Sequence, residues 1–146
     1  MLMSLDSIVE VMGGPKNIGR DIHNTHDFIL ASREGISVAV IKVLQSRIGL
    51  TNKMMSSILE ISESTLQRLI KQKSRLGKSE SEAAYEISKI IAKGIEVFGD
   101  EQDFTEWLNT KNIALGDERP IDWLDSSIGR EQLVDLLVGI QYGHYS

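Results

Sequence analysis

Seven polar side chains, Ser64, Thr65, Gln67, Arg68, Lys71, Lys73 and Arg75, have the types and spacing to hydrogen-bond base edges and phosphates. Helical spacing puts Ser64, Gln67, Arg68 and Lys71 on one side, with Thr65 near the helix start, while Leu66, Leu69 and Ile70 share the opposite side as core contacts require. Lys73, Arg75 and Lys78, just beyond, suit flanking phosphates. No aromatic residue falls between Thr51 and Lys78, which argues against stacking on single strands and leaves duplex DNA as the better ligand. The same residues also fit a solvated basic face on a helical pair whose job is packing.

The elements that must position them are legible nearby. Thr51 is a good cap for a helix through about Leu59, Ile61 and Ser62 fall in a tight turn, and Ser64 to Lys73 resumes helical spacing. Two short helices across a tight turn over about residues 51–73 read as a helix-turn-helix. Charge marks the same stretch. Residues 1–50 carry five acidic and five basic side chains, residues 51–79 two and six, and residues 80–146 fourteen and five. A net of plus 4 is therefore followed by minus 9 within a chain of net charge minus 5, which suggests one surface for nucleic acid and another for a protein partner.

At 146 residues and 41% hydrophobic, the chain can bury one good core or two small ones. Without cysteine it forms neither a disulfide framework nor a thiolate metal site. The Met1–Asp6 segment lacks a charged lead and a long apolar run, and no stretch approaches the roughly 20 apolar residues that span a bilayer. The expectation is a cytoplasmic protein without membrane contact.

Helix signals cover most of the chain, so the fold class expected is all-α. Ser4 caps a short helix through Val11 that Gly13-Gly14 closes, and Pro15 to Asn24 reads as loop. A helix starts at Thr25 or Asp27 and stops at Gly35; Ser37 caps the next, to Gly49, although Val38, Val40 and Ile41 would also tolerate a strand. Ser79 and Glu82 have capping-box spacing before a long helix that Gly99 ends, with Gly94 inside it at a cost of about 1 kcal/mol relative to alanine unless another backbone comes close. Asp103 to Asn109 gives a short helix, Pro120 opens another, and Gly129 precedes the last, whose stripe is Leu133, Leu136, Leu137 and Ile140. Trp107 and Trp123 lie in apolar stripes and read as core.

Phe98-Gly99, Trp107-Leu108, Leu115-Gly116, Arg119-Pro120, Trp123-Leu124, Gly129, Val134, Leu137 and Tyr142-Gly143 together resemble, in order and spacing over roughly residues 80–146, the C-terminal toxin-binding domain of Xre–MbcA–ParS antitoxins. The preceding Ile61-Ser62, Thr65-Leu66 and Arg68 are similar to the Xre-like helix-turn-helix found upstream in that family. The resemblance implies a helix-turn-helix DNA-binding domain within residues 1–78 and a small helical toxin-binding domain over 79–146. It also implies the antitoxin of a type II pair, whose partner is a RES-domain toxin that consumes NAD and whose operon is repressed through operator DNA. Carried onto this chain, the toxin contacts fall on the last helix and on Gln141, Tyr142, Gly143, His144, Tyr145 and Ser146.

Tyr142 and Tyr145 can equally cover the end of the last helix with Gly143 as its stop, and Arg119 can pair with a neighbouring acid or contact the toxin. Reading a palindrome calls for a homodimer. A stand-alone regulator whose C-terminal domain dimerises or senses something is the other reading. Catalysis has little support, and no cofactor or metal is called for. His23 and His26 lack a third ligand, Gly13-Gly14-Pro15-Lys16 lacks the context of a phosphate loop, and Asp100, Glu101 and Asp103 are helix-start charges.

Overall fold

The computed structural model describes residues 4–143. The helices are α1 (Leu5–Val11), α2 (Pro15–Ile18), α3 (Thr25–Glu34), α4 (Ala39–Ile48), α5 (Asn52–Leu59), α6 (Glu63–Gln72), α7 (Lys78–Phe98), α8 (Glu101–Leu108) and α9 (Ser127–Gln141). Two 3₁₀ turns, Ile113–Leu115 and Pro120–Trp123, link α8 to α9, and no strand forms among the described residues.

The apolar face of α7 is long enough to serve the whole molecule. Ile87, Ile90 and Ile91 are fully buried, and α7 packs against α1, α3, α4 and α5 on the way in and against α8 and α9 on the way out. Each such side chain contributes on the order of 1.5–3 kcal/mol through burial. One hydrophobic cluster therefore runs from Ile8 to Leu137, and the helix-turn-helix and the C-terminal helices share it. Gly94 of α7 lies against a ring and not against another backbone. A Cβ there would stand 2.2 Å from the ring of buried Phe104, so glycine is what lets α8 close on α7.

The helix starts follow local hydrogen bonding, and several differ from the sequence expectation. Pro15 to Ile18 is one helical turn and not loop, because Pro15 is preset for the first turn and Ile18 is pulled into the core. Asn24 caps α3, its Oδ1 accepting from the Asp27 N–H at 3.0 Å, so the helix begins at Thr25. Val38 bounds α4 without a side-chain cap bond, and Ser37 supplies the cap as expected, its Oγ accepting from the Ala39 N–H at 3.2 Å. Ser37 also lies in a backbone bridge to Arg75, flanked by Val38 N–H to Ser74 O at 3.1 Å and Leu76 N–H to Ile36 O at 2.8 Å. That bridge ties the exit of α6 to the entry of α4.

Only half of a capping box forms before α7, two residues earlier than expected, because Gly77 has no side chain to return the bond. Glu80 Oε1 accepts from the Gly77 N–H at 3.0 Å, while Glu82 instead pairs with Lys78 at 3.8 Å. Helix α8 opens at Glu101 because Asp100 Oδ1 accepts from Asp103 N–H at 2.7 Å. Gly129 is inside α9 rather than ahead of it: Ser126 caps the helix, and a Cβ on Gly129 would meet the Trp123 carbonyl oxygen at 2.2 Å.

Candidate nucleic-acid and partner interfaces

Helices α5 and α6 are each capped by a hydroxyl. Thr51 Oγ1 accepts from Met54 N–H at 3.1 Å, and Ser62 Oγ accepts from Thr65 N–H at 3.0 Å while donating to Thr65 Oγ1 at 2.9 Å. Between them Glu60 adopts a left-handed conformation, φ 57°, which turns the chain sharply. Leu66 is fully buried, and Leu69 and Ile70 are partly buried against the same core. The opposite face of α6 is consequently fixed toward solvent.

Ser64, Gln67, Arg68, Lys71 and Lys73 are all exposed, and their side chains make no hydrogen bond or ion pair among the described residues. Thr65 differs, because its hydroxyl belongs to the cap and it is only half-exposed. Arg75 is exposed but anchored, with its Nη1 donating to the Glu34 carbonyl at 3.5 Å. Beside this face lies an open groove of about 510 Å³ lined by Lys42, Gln45, Ser46, Asn52, Gln67, Ile70 and Lys71. Lys42, Gln45 and Asn52 escaped the sequence reading, Lys42 and Gln45 because they precede the basic stretch and Asn52 because it carries no charge. Gln45 Nε2 donates to Asn52 Oδ1 at 2.9 Å and to the Leu50 carbonyl at 3.2 Å, which fixes the groove wall at the start of α5. For Lys42 and Gln45 the signal was the polar set Lys42, Gln45, Ser46 and Arg47 interrupting the apolar pattern of α4.

The C-terminal candidates are held differently. Arg119 forms a bidentate pair with Asp122, Nε to Oδ2 at 3.3 Å and Nη2 to Oδ1 at 3.1 Å, so it takes the neighbouring acid. Gln141 is clasped. Its Oε1 accepts from Lys93 Nζ at 2.5 Å and its Nε2 donates to Glu96 Oε1 at 3.1 Å. The Lys93 side chain is only 4% exposed, so this clasp, with Glu96 at 3.6 Å, satisfies a buried ammonium and ties the end of α9 to α7. Tyr142 and Gly143 are exposed beyond it, and His144, Tyr145 and Ser146 lie outside the described residues. Trp107 packs half-buried beside Phe98 and Phe104, at ring separations of 5.5 and 6.1 Å. Trp123 is half-buried as well, with its Nε1 donating to Glu118 Oε2 at 2.5 Å.

Residues 27–89 match the family model for the antitoxin Xre-like helix-turn-helix domain, and residues 93–143 match that for the antitoxin Xre/MbcA/ParS C-terminal toxin-binding domain. The chain belongs to the Xre/MbcA/ParS antitoxin family. This is a family of toxin-binding and helix-turn-helix proteins, not of enzymes. The fold is also similar to a chain in the crystal structure of the M. tuberculosis MbcT–MbcA toxin–antitoxin complex. That match has a TM-score of 0.50 and 15% identity, and covers 86% of this antitoxin and 100% of the other chain. No curated protein matches it in sequence.

Within this antitoxin the helix-turn-helix match takes in α3 to α6 with all seven basic-island candidates, and the C-terminal match takes in α8 and α9 with Arg119, Gln141, Tyr142 and Gly143. The boundary between the two matches falls inside α7, the helix both halves pack against. Among the described residues no cluster of histidine and carboxylate side chains is arranged to hold a metal ion. No helix among them is long and apolar enough to cross a membrane.

Proposed function

We propose that this antitoxin neutralises a cognate RES-domain, NAD-consuming toxin through direct contact by its C-terminal domain, and represses its own operon by presenting α6 to operator DNA as a homodimer in the cytoplasm. The observation that carries the DNA half is the α6 face, where Ser64, Gln67, Arg68, Lys71 and Lys73 are exposed and unengaged while Leu66 anchors the helix from behind. A recognition helix needs that combination of a rigid base and free polar ends. Thr65 supports it through the cap, and Arg75 stands ready for a phosphate at the exit of α6.

The toxin half rests on the match of residues 93–143 to a toxin-binding domain and on the acidic surplus of residues 80–146. A cleft built for an anionic dinucleotide is electropositive, and an acidic domain is steered toward it. In this reading Gln141 positions the tail from its clasp on α7, and Tyr142, Gly143, His144, Tyr145 and Ser146 reach the cleft, with Tyr142 and Tyr145 as aromatic anchors. Arg119, held by Asp122, lies at the edge of the contact. The functional boundary between residues 78 and 79 divides partners and not cores, since α7 packs against both sides of it.

Deleting Tyr142 to Ser146 tests the reading while leaving the Gln141 clasp in place. The shortened antitoxin is expected to keep its helical circular dichroism and operator binding while losing protection against the toxin in a growth assay. Full protection by the shortened chain would overturn the role of the tail.

A further inference from the structure

Helices α3 and α7 leave a cavity of about 360 Å³ between them that neither the α6 face nor the C-terminal candidates use. Its floor is aromatic. Phe28 of α3 and Tyr85 of α7 lie with ring centroids 4.6 Å apart, and Ile29, 45% exposed, carries the apolar lining out to solvent. The volume falls within the range of small-molecule sites, about 300–1,000 Å³.

The polar lining of this cavity is selective in sign. Ser32 is only 6% exposed, yet its hydroxyl makes no hydrogen bond among the described residues. Arg33 beside it is exposed and has no partner among them either, and Lys89 stands over the Tyr85 ring at 5.4 Å without a carboxylate. Both acids of the lining are engaged, Glu82 with Lys78 at 3.8 Å and Glu86 with Arg130 at 2.9 Å. What the fold leaves over is a recessed hydroxyl and two cations beside aromatic rings. That set fits a small planar acid, whose ring packs on Phe28 and Tyr85 while its carboxylate accepts from Ser32 and Arg33. A cationic ligand would meet like charge. A second copy of the chain laid over the opening would cover Ile29 and still leave the recessed Ser32 hydroxyl unpaired.

We infer that the α3–α7 cavity is a binding site for a small aromatic carboxylate, with Phe28 and Tyr85 as its floor and Ser32 and Arg33 as the partners of the carboxylate. The site stands apart from the DNA and toxin readings and does not depend on either. A ligand there joins the helix that opens the helix-turn-helix match to the helix that both halves share.

The test titrates naphthoate into the full-length antitoxin and follows the backbone amide shifts by NMR. Saturable shifts centred on α3 and the first half of α7 are expected, with a Kd below about 1 mM, the affinity that roughly a dozen well-packed heavy atoms supply. Arg33→Gln should weaken binding about tenfold, and the neutral alcohol of the same ring system should bind the wild type about tenfold more weakly than naphthoate. Ser32→Ala should weaken it about fivefold without lowering the melting temperature, because the hydroxyl removed has no partner in the fold. Absence of saturable shifts, shifts centred elsewhere, equal affinity for the alcohol, or both variants within twofold of wild type would each overturn the site. If Arg33→Gln lowers stability, Ser32→Ala and the alcohol decide the question. A dimer that excludes naphthoate and is dispersed by Ile29→Asp would assign the cavity to a second copy and overturn the inference.

Discussion

The two halves of this antitoxin treat their charges in opposite ways. On α6 the cations Arg68 and Lys71, with Lys73 just beyond, are left without partners among the described residues. Of the five cations in residues 80–146, four are engaged: Lys93 with Gln141 and Glu96, Arg119 with Asp122, Arg130 with Glu86 at 2.9 Å and with the Leu124 carbonyl at 2.7 Å, and Lys89 over the Tyr85 ring at 5.4 Å; exposed Lys111 is the exception. One half offers a face of free positive charge. The other uses most of its cations to brace the fold and leaves acids outside. A ligand surface is therefore marked by the charge that the fold leaves unpaired, more than by composition.

The comparison breaks most severely where the halves meet. Gly94→Val drives a branched side chain into the Phe104 ring, and a loss of about 3 kcal/mol is expected from overpacking. Because α7 serves both halves, urea unfolding should show one destabilised transition, and operator and toxin binding should fall together. Two separate transitions would mean that the halves do not share a core. Next in size, Arg68→Ala is expected to cost about 1–3 kcal/mol of operator affinity and to flatten its salt dependence, with toxin affinity unchanged in the same preparation. Gel shifts across a salt series measure it.

Arg119→Ala sharpens the contrast from the other side. Its pair with Asp122 is surface-exposed, so its stability change should stay within about 0.5 kcal/mol by thermal melting. Any larger loss of toxin affinity would then show a contact with the toxin. The smallest effect belongs to Asp27, whose carboxylate accepts from the backbone of His23 and is held below its ordinary 3.8 chiefly by that bond. A lowered folded value means that the contribution is complete above the unfolded value and is lost as pH falls through the folded one. Melting curves of wild type and Asp27→Asn should differ slightly at neutral pH and converge well below pH 4. A gap that persists in acid would assign the effect to packing.

Those parts of the fold that depend on one residue's own chemistry were legible in the sequence. Thr51 at the start of α5, the glycine at residue 99 after α7, and the buried stripe of Leu133 and Leu137 are local rules, and each element forms where those residues put it. The misplacements share a different cause. Ser37 caps α4 as its type suggests, but the bridge its backbone makes to Arg75, far along the chain, has no local signal. Gly129 looked like a helix boundary and is instead the space into which the Trp123 carbonyl fits. The groove beside α6 behaves likewise: Lys42 and Asn52 join it only because α4 and the start of α5 fold beside α6. Gln141 had the right neighbourhood in the sequence, yet its clasp on Lys93 spans most of the C-terminal half and no periodicity foretells it.

The central claim is that one core carries two separable binding regions, a basic face for DNA and an acidic C-terminal domain for toxin. The most direct test measures operator affinity and protection against the toxin side by side for the wild type, Arg68→Ala and the chain lacking Tyr142 to Ser146. The account predicts a double dissociation: Arg68→Ala loses operator affinity alone, and the shortened chain loses protection alone. Either change weakening both equally, with melting temperature unchanged, would contradict it.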